Sequence, residues 1–317
     1  MVTYNHERYI TQAVESVLAQ RTSFEFELVI GEDCSTDGTL DRLNACAERY
    51  PGRIKLVQQQ QNVGPHDNFT QTLQNCSGTY LAYLDGDDYW IHPEKLQRQV
   101  DFLDANPDLS MCVTPVNSFT DDGRYFSITR PKDPGLSRLG MDHVIGGDVH
   151  VALGGAMLRK SMLGDMSRLT RIEKIGDYPL FVLTMANGDA GYMDCAMACY
   201  RLHGGGTFTG SYYLDSLVDL VRLNRELRTL VGSGHESAFA ARIARDSFDI
   251  ARIYCDAGDH AAARQWLSTC FSCGFQANRG QHLLLLKLLL RNSAPKAFAI
   301  AKAAAGRKKQ QQVVPEP

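Results

Sequence analysis

Short apolar runs alternate with amphipathic stretches along the first third of the chain. The apolar runs predict β-strands near residues 1–3, 27–31, 54–58, 79–84 and 110–114. Apolar positions recur at helical spacing between these runs, which predicts helices near residues 7–20, 37–50, 66–76 and 93–105. Strands and helices that alternate in this way build a mostly parallel central sheet flanked by helices, so the predicted fold class is α/β.

Polar residues follow the predicted strands at their carboxyl ends, where doubly wound sheets bind their ligands. The strand near 27–31 leads into a turn that contains Asp33, and the run YLAYLDGDDYW contains Asp85, Asp87 and Asp88. Three carboxylates this close raise one another's pKa, and a divalent cation that neutralises them is the functional explanation. An acidic, solvated turn after a strand is the structural alternative.

Four blocks of sequence resemble, in order, the blocks of the family 2 glycosyltransferases over roughly residues 1–205. They are TYNHERYITQAVESVLAQ, GEDCSTDGT, YLDGDDYWIHPEKL, and GDYPL followed by YRLHGGG. The resemblance implies a GT-A fold and an inverting transfer from a nucleotide diphosphate sugar, expected to be a UDP-sugar. The acceptor would be a hydroxyl of a glycan or of a lipid-linked molecule.

The resemblance also implies a nucleotide site. Asp33 stands at the second acidic position of its block, where a carboxylate accepts a hydrogen bond from a base N–H, and Glu32 replaces the first acid. Cys34 replaces the usual Gly or Asn, so the backbone geometry of this turn could differ from that of the family. Thr3 would supply backbone contacts and Tyr4 an aromatic surface under the base, although Tyr4 could instead belong to the core.

For the diphosphate, we expect Asp85, Asp87 and Asp88 to recruit Mg²⁺ or Mn²⁺, since both ions prefer oxygen ligands. The resemblance places Asp87 against the ribose or the metal and leaves open whether Asp87 or Asp88 binds the ion directly. It adds His203, in YRLHGGG, as a group that approaches the metal or the diphosphate, although a solitary histidine is more often structural.

Asp177, in KIGDYPLF, begins a helix-like run, and the resemblance makes it the general base of a single displacement with inversion. An ordinary helix N-cap is the structural alternative for this residue. A sugar nucleotidyltransferase is another possible enzyme class, but it should show a glycine-rich basic loop after its first strand, and YNHERY has no glycine. The third alternative is a non-catalytic scaffold derived from a transferase, whose helical tail binds partners or a membrane, and the intact acidic residues argue against it.

The length of 317 residues favours one large α/β domain with a smaller appendage. We expect a catalytic domain over 1–210, a helical extension over 211–306 and a disordered basic and polar tail over 307–317. Residues 252–271 resemble one tetratricopeptide-type helix pair, and an ordinary helical hairpin is the preferred interpretation. Residues 116–150 lack clear periodicity and are interpreted as an irregular, mobile excursion on the acceptor side.

The nine cysteines are scattered, which is typical of a cytoplasmic protein with reduced thiols. Residues 260–315 contain no Asp or Glu, and the stretch 282–309 combines apolar faces with basic residues. This stretch is expected to contact an anionic membrane surface, peripherally and at the inner face of the cell membrane, unless it is a packed helix with a solvated basic edge. Residues 1–259 are net acidic, so no nucleic-acid partner is expected.

The first predicted strand is short, because only Met1 and Val2 precede Thr3. Members of the resembled family have several apolar residues before the Tyr-Asn pair. We therefore expect the natural start to lie upstream of Met1.

Overall fold

The structure is a computed structural model, and it describes residues 1–120, 122–128, 130–131, 133, 135–149, 151–165, 177–204 and 213–274. The β-strands of these residues are β1 Val2–Thr3, β2 Leu28–Glu32, β3 Ile54–Gln58, β4 Tyr80–Ala82, β5 Tyr89–Trp90, β6 Met111–Val113, β7 Val116–Thr120, β8 Tyr125–Ile128, β9 Arg138–Leu139, β10 Ala156–Arg159, β11 Ala190–Tyr192 and β12 Ala198–Leu202. The α-helices are α1 Ile10–Leu18, α2 Thr39–Arg49, α3 Pro65–Gln74, α4 Lys95–Ala105, α5 Met141–Gly146, α6 Asp177–Met185, α7 Tyr213–Leu230, α8 Glu236–Asp256 and α9 His260–Ser272.

The first sheet has the order β1-β2-β3 and is parallel throughout. Helices α1 and α2 connect its strands, as right-handed βαβ units require. The amphipathic pattern explains why α1 packs here, because Ile10, Ala13, Val14 and Val17 share one face and are all buried. The predicted α/β fold with a parallel sheet and flanking helices is confirmed.

Two further sheets are mixed. The order β4-β10-β6-β11-β9 contains one parallel pair, β6 with β11, and the order β5-β12-β7-β8 contains one parallel pair, β12 with β7. Strands β7, β8 and β9 and helix α5 lie within residues 116–150. The prediction of an irregular excursion there was wrong, because β7 pairs with β12, β9 pairs with β11, and β8 pairs with β7 as a hairpin. Gly123, at φ +80°, lies in the turn between β7 and β8.

A cavity of about 540 Å³ lies beside the start of β2, lined among others by Met1, Leu28, Val29 and Leu81. Strand β1 pairs only with the last two residues of β2. The ammonium group of Met1 donates a hydrogen bond to the carbonyl of Val29 at 2.8 Å, and burial lowers the pKa of this ammonium. The edge of β2 before that point therefore faces the cavity.

The chain divides into two compact units. Among the described residues, the first comprises 1–204 and 225–238, and the second comprises 213–224 and 239–274. The second unit contains a hairpin of α8 and α9, in which Asp259 caps α9 by accepting the N–H of Ala262 at 3.0 Å. The predicted hairpin over 252–271 is thus present, whereas the boundary after residue 210 stays a prediction.

The predicted basic stretch 282–309 and the tail 307–317 lie outside the described residues. Within the described ranges, no helix combines the length and the apolar content that crossing a bilayer requires. All nine cysteines are free thiols.

Candidate active site

The acidic turn that follows β4 is fastened to the parallel sheet. Asp85 forms a parallel bridge with Val2, and the N–H of Gly86 donates to the carbonyl of Val2 at 2.9 Å. Gly86 comes so close to the strand that a Cβ on it would lie 2.6 Å from Oγ1 of Thr3 and 2.9 Å from Nδ1 of His6. A glycine between the aspartates is therefore what allows the turn to lie against the end of β1.

The three predicted metal ligands lie together. Asp85, Asp87 and Asp88 each offer a carboxylate oxygen, and these oxygens are all within 4.8 Å of one another. Tyr83 donates its hydroxyl to Oδ1 of Asp85 at 2.6 Å, and the N–H of Arg201 donates to Oδ1 of Asp88 at 2.8 Å. Each of these two aspartates therefore has one carboxylate oxygen held by the fold.

Burial and mutual repulsion make this cluster costly to ionise. Burial, followed by the charge of Asp87, raises the pKa of Asp85 to about 7, and the same two causes raise the pKa of Asp88. Only 4% of Asp88 is exposed. A divalent cation would offset this repulsion, and carboxylate oxygens are the ligands that Mg²⁺ and Mn²⁺ prefer, so the donor set fits such an ion.

Two histidines contact the same oxygen of Asp87. Nε2 of His203 lies 3.1 Å from Oδ2 of Asp87, and Nε2 of His6 lies 3.4 Å from it. The structure thus brings His203 to the acidic turn, as the family resemblance led us to expect. His6 was missed, although it stands in the first sequence block, because nothing in the sequence gives its distance to residue 87. Burial lowers the pKa of His6.

Arg201, which no sequence motif indicated, holds the turn from the side of β12. Its Nε donates to the carbonyl of Asp87 at 2.8 Å, and its guanidinium also donates to Oε1 of Gln12 at 2.9 Å. The guanidinium carbon lies 4.7 Å from the ring centre of Tyr9 and 5.1 Å from that of Tyr89. Cation–π attraction to these two rings, together with the hydrogen bonds, holds the guanidinium of Arg201 against the acidic turn.

Asp177 is the first residue of α6, and its Oδ1 accepts the N–H of Tyr178 at 2.7 Å. Its charge also contributes to the raised pKa values of Asp85, Tyr83 and Tyr200. Asp177 is therefore close enough for its charge to act on Asp85, although Asp85 lies about ninety positions earlier in the sequence. Its role as a base stays a prediction, since a residue at a helix start also caps the helix.

The predicted nucleotide residues lie at the ends of β1 and β2. Thr3 is buried, and its carbonyl accepts the N–H of Asp33 at 3.1 Å, whereas Tyr4 is 41% exposed. Asp33 is only 2% exposed, and its two carboxylate oxygens accept the N–H groups of Val63 and Gly64 at 2.8 and 3.0 Å. Burial raises the pKa of Asp33. A contact between Asp33 and a base stays a prediction, and it would have to use the remaining lone pairs of these oxygens.

Cys34 adopts a left-handed backbone conformation, with φ +58°. Glycine and asparagine enter this region more readily than other residues. The observed φ explains why a glycine or an asparagine is the usual residue at this position.

The parallel sheet, the flanking helices and the acidic turn at the sheet edge define the class of GT-A proteins. The S. aureus TarS 1-349 crystal structure in complex with UDP-GlcNAc superimposes with a TM-score of 0.57 at 18% identity, over 87% of this chain and 91% of that chain. This likeness shows the fold.

The sequence profile of Glycosyl transferase family 2 matches residues 1–166. An uncharacterized protein of Mycobacterium tuberculosis is 32% identical over 250 residues, which cover 73% of this chain and 70% of that protein. Poly(ribitol-phosphate) beta-N-acetylglucosaminyltransferase TarS of Staphylococcus aureus is 35% identical over 108 residues, 33% of this chain and 18% of TarS. The chain belongs to glycosyl transferase family 2 and is a transferase enzyme.

Proposed function

We propose that the protein moves a sugar from a nucleoside diphosphate sugar to a hydroxyl of a glycan or of a lipid-linked acceptor, with inversion at the anomeric carbon. The observation that carries the proposal is the cluster of Asp85, Asp87 and Asp88, whose carboxylate oxygens lie within 4.8 Å of one another. A UDP-sugar is the proposed donor. The relative TarS supports this choice, since it is named as an N-acetylglucosaminyltransferase and its structure contains UDP-GlcNAc.

The acidic turn is the proposed holder of the leaving diphosphate. Asp85, Asp87 and Asp88, with His203, would hold Mg²⁺ or Mn²⁺, and a bound divalent ion supplies positive charge for the leaving group. Arg201 keeps the turn in position through its contacts with the carbonyl of Asp87 and the carboxylate of Asp88. Thr3, Tyr4 and Asp33 would hold the nucleotide, with the exposed ring of Tyr4 under the base.

Asp177 is the proposed general base. As the acceptor oxygen forms its bond to the anomeric carbon, the hydroxyl proton passes to the carboxylate of Asp177. The bond between the anomeric carbon and the diphosphate oxygen breaks on the opposite face, which inverts the configuration.

The test compares the purified full chain with two variants, in the presence of Mn²⁺ and a panel of UDP-sugars. We expect the wild type to hydrolyse or transfer a donor. We expect Asp88→Asn to lose this activity. Asp177→Asn should abolish transfer and leave the affinity for UDP within a few-fold, because the amide keeps the size of the side chain but takes no proton. A large loss of UDP affinity in Asp177→Asn would mean that Asp177 is structural.

We further propose that the catalytic domain spans 1–210 and is followed by a helical extension, and that residues 282–309 contact the inner face of the cell membrane. The second of these ideas rests on the run of basic residues in the sequence. Deletion of 282–317 should release the protein from anionic vesicles while donor hydrolysis continues. If the deletion does not change how the protein partitions onto the vesicles, the proposed membrane contact is wrong.

A further inference from the structure

The ring of His6 is held in place by several contacts around it. Its backbone N–H donates to Oγ1 of Thr39 at 2.8 Å, so the loop that carries it is fixed to the start of α2. Nδ1 of His6 lies 3.2 Å from Oγ1 of Thr3, and Nε2 faces Oδ2 of Asp87 at 3.4 Å. Only 17% of the His6 side chain is exposed. These contacts aim one ring nitrogen at the acidic turn.

His203 reaches the same oxygen from another part of the chain. It follows β12, its side chain is 7% exposed, and its Nε2 lies 3.1 Å from Oδ2 of Asp87. Its ring packs on Tyr9 with 4.8 Å between the ring centres. Two ring nitrogens, one from the loop before α1 and one from the end of β12, therefore converge on one carboxylate oxygen.

Each of the two nitrogen–oxygen distances suits a pair of ligands on one ion. Two donor atoms at right angles on an ion with bonds of about 2.1 Å lie about 3.0 Å apart, close to the 3.1 and 3.4 Å found here. In the tautomer whose Nδ1–H donates to Thr3, the Nε2 lone pair of His6 faces a carboxylate oxygen, which is repulsive without a cation between them. A second hydrogen bond that fixes the other ring nitrogen is usual for a metal-binding histidine.

We propose that His6 is a further ligand of the divalent cation, and that the two imidazole nitrogens of His6 and His203 favour transition-metal ions over Mg²⁺. This inference rests on the proposed function, because it concerns the ion held by the acidic turn. Mg²⁺ selects oxygen donors and gains little from imidazole, whereas affinity for nitrogen donors rises from Mn²⁺ to Co²⁺. The activating ion would accordingly be Mn²⁺ or Co²⁺ rather than Mg²⁺.

Pulsed electron paramagnetic resonance of Mn²⁺ tests the proposal on the full chain with UDP, because it detects nitrogen nuclei bound to the ion. The wild-type spectrum should show two imidazole nitrogens, identified by labelling histidine with ¹⁵N. His6→Gln should remove one of them and weaken Mn²⁺ binding by about tenfold or more, with Mg²⁺ binding changed by less than about threefold. His143→Gln is the matched control, since His143 faces the carbonyl of Gly140, and it should leave both measurements unchanged.

The outcomes separate this inference from the proposed function. The wild type could bind Mn²⁺ and Asp88→Asn could lose this binding, while the wild type and His6→Gln give the same nitrogen signal. This result would overturn the role of His6 and leave the transferase proposal standing. Equal weakening of Mn²⁺ and Mg²⁺ in His6→Gln would reduce His6 to a hydrogen-bond partner of Asp87. Absence of Mn²⁺ binding and of donor hydrolysis in the wild type would instead count against the proposed function. If His6→Gln fails to fold, the number of nitrogens in the wild-type spectrum still decides.

Discussion

Lys95 is a buried base close to the strand that follows the acidic turn, and its substitution gives a quantitative test of the structure. The side chain is 0% exposed, its Nζ donates to Oε1 of Gln99 at 2.7 Å, and it lies 4.4 Å from the ring centre of Trp90. Burial lowers the pKa of Lys95 from 10.5 to about 7. We predict that Lys95→Met is more stable than the wild type at neutral pH and less stable at pH 10.

The magnitude follows from the pKa. A fall from 10.5 to about 7 corresponds to about 5 kcal/mol against the charged form, at about 1.4 kcal/mol per pH unit. Between these two pH values the unfolded chain binds the proton and the folded chain does not, so the stability of the wild type rises with pH. Methionine removes this penalty and leaves Oε1 of Gln99 without its partner, which costs about 1–3 kcal/mol at every pH. At pH 7 about half of the folded chains carry the proton, so the penalty is about 4 kcal/mol and the net gain is about 1–3 kcal/mol.

Urea unfolding at pH 6, 7, 8, 9 and 10, followed by tryptophan fluorescence, measures the difference in free energy of unfolding between the two proteins. This difference should change by about 1.4 kcal/mol per pH unit between pH 7 and 9. Lys55→Met, which replaces an exposed lysine, should show no such slope. A pH-independent difference for Lys95→Met would refute the reasoning, since it would mean that Lys95 keeps its ordinary pKa in the fold.

Cys34→Asn should raise the free energy of unfolding by about 1 kcal/mol, because asparagine tolerates the left-handed backbone, and Cys34→Val should lower it; equal melting temperatures would contradict this. Gly86→Ala should weaken Mn²⁺ binding in calorimetry, since the new methyl group would lie 2.6 Å from Oγ1 of Thr3, and unchanged binding would be the contrary result. Arg159→Met should cost about 2–4 kcal/mol in chemical unfolding, because it removes a guanidinium that donates to the carbonyls of Leu103, Asn106 and Leu109; a loss under 1 kcal/mol would show that water replaces the donor. Five apolar residues added before Met1 should raise the melting temperature by filling the cavity beside β2, whereas a Gly-Ser extension of equal length should not.

The first third of the fold was predictable because each of its elements has a local signal. The strands near 27–31 and 54–58 are apolar runs, and α1 and α2 show helical spacing, so their positions agree with the structure within a few residues. The strands within residues 116–150 were not predictable in the same way. Strand β7 pairs with β12, some eighty positions later, and its side chains alternate in burial with no continuous apolar run.

The candidate site was predictable to the extent that its residues stand in contiguous blocks. Three aspartates within four positions, at 85, 87 and 88, indicate a possible metal site without any further information. His203 and Asp177 were identified because their sequence blocks resemble those of the family. Neither the distance from His6 to Asp87 nor the contacts of Arg201 with the rings of Tyr9 and Tyr89 could be predicted from the residue pattern. Such contacts are set by which strands become neighbours, and a single sequence does not contain that information.

The energetics of the acidic turn favour a ligand over a structural explanation. Burying Asp85 and Asp88 beside Asp87 disfavours their ionised forms, as their raised pKa values indicate, so the cluster lowers the stability of the fold without a compensating cation. The surrounding contacts keep these carboxylates together, because Tyr83 binds the first and the backbone N–H of Arg201 binds the third. A fold that holds like charges close at a cost in stability is typical of a preformed binding site, where the ligand supplies the opposite charge.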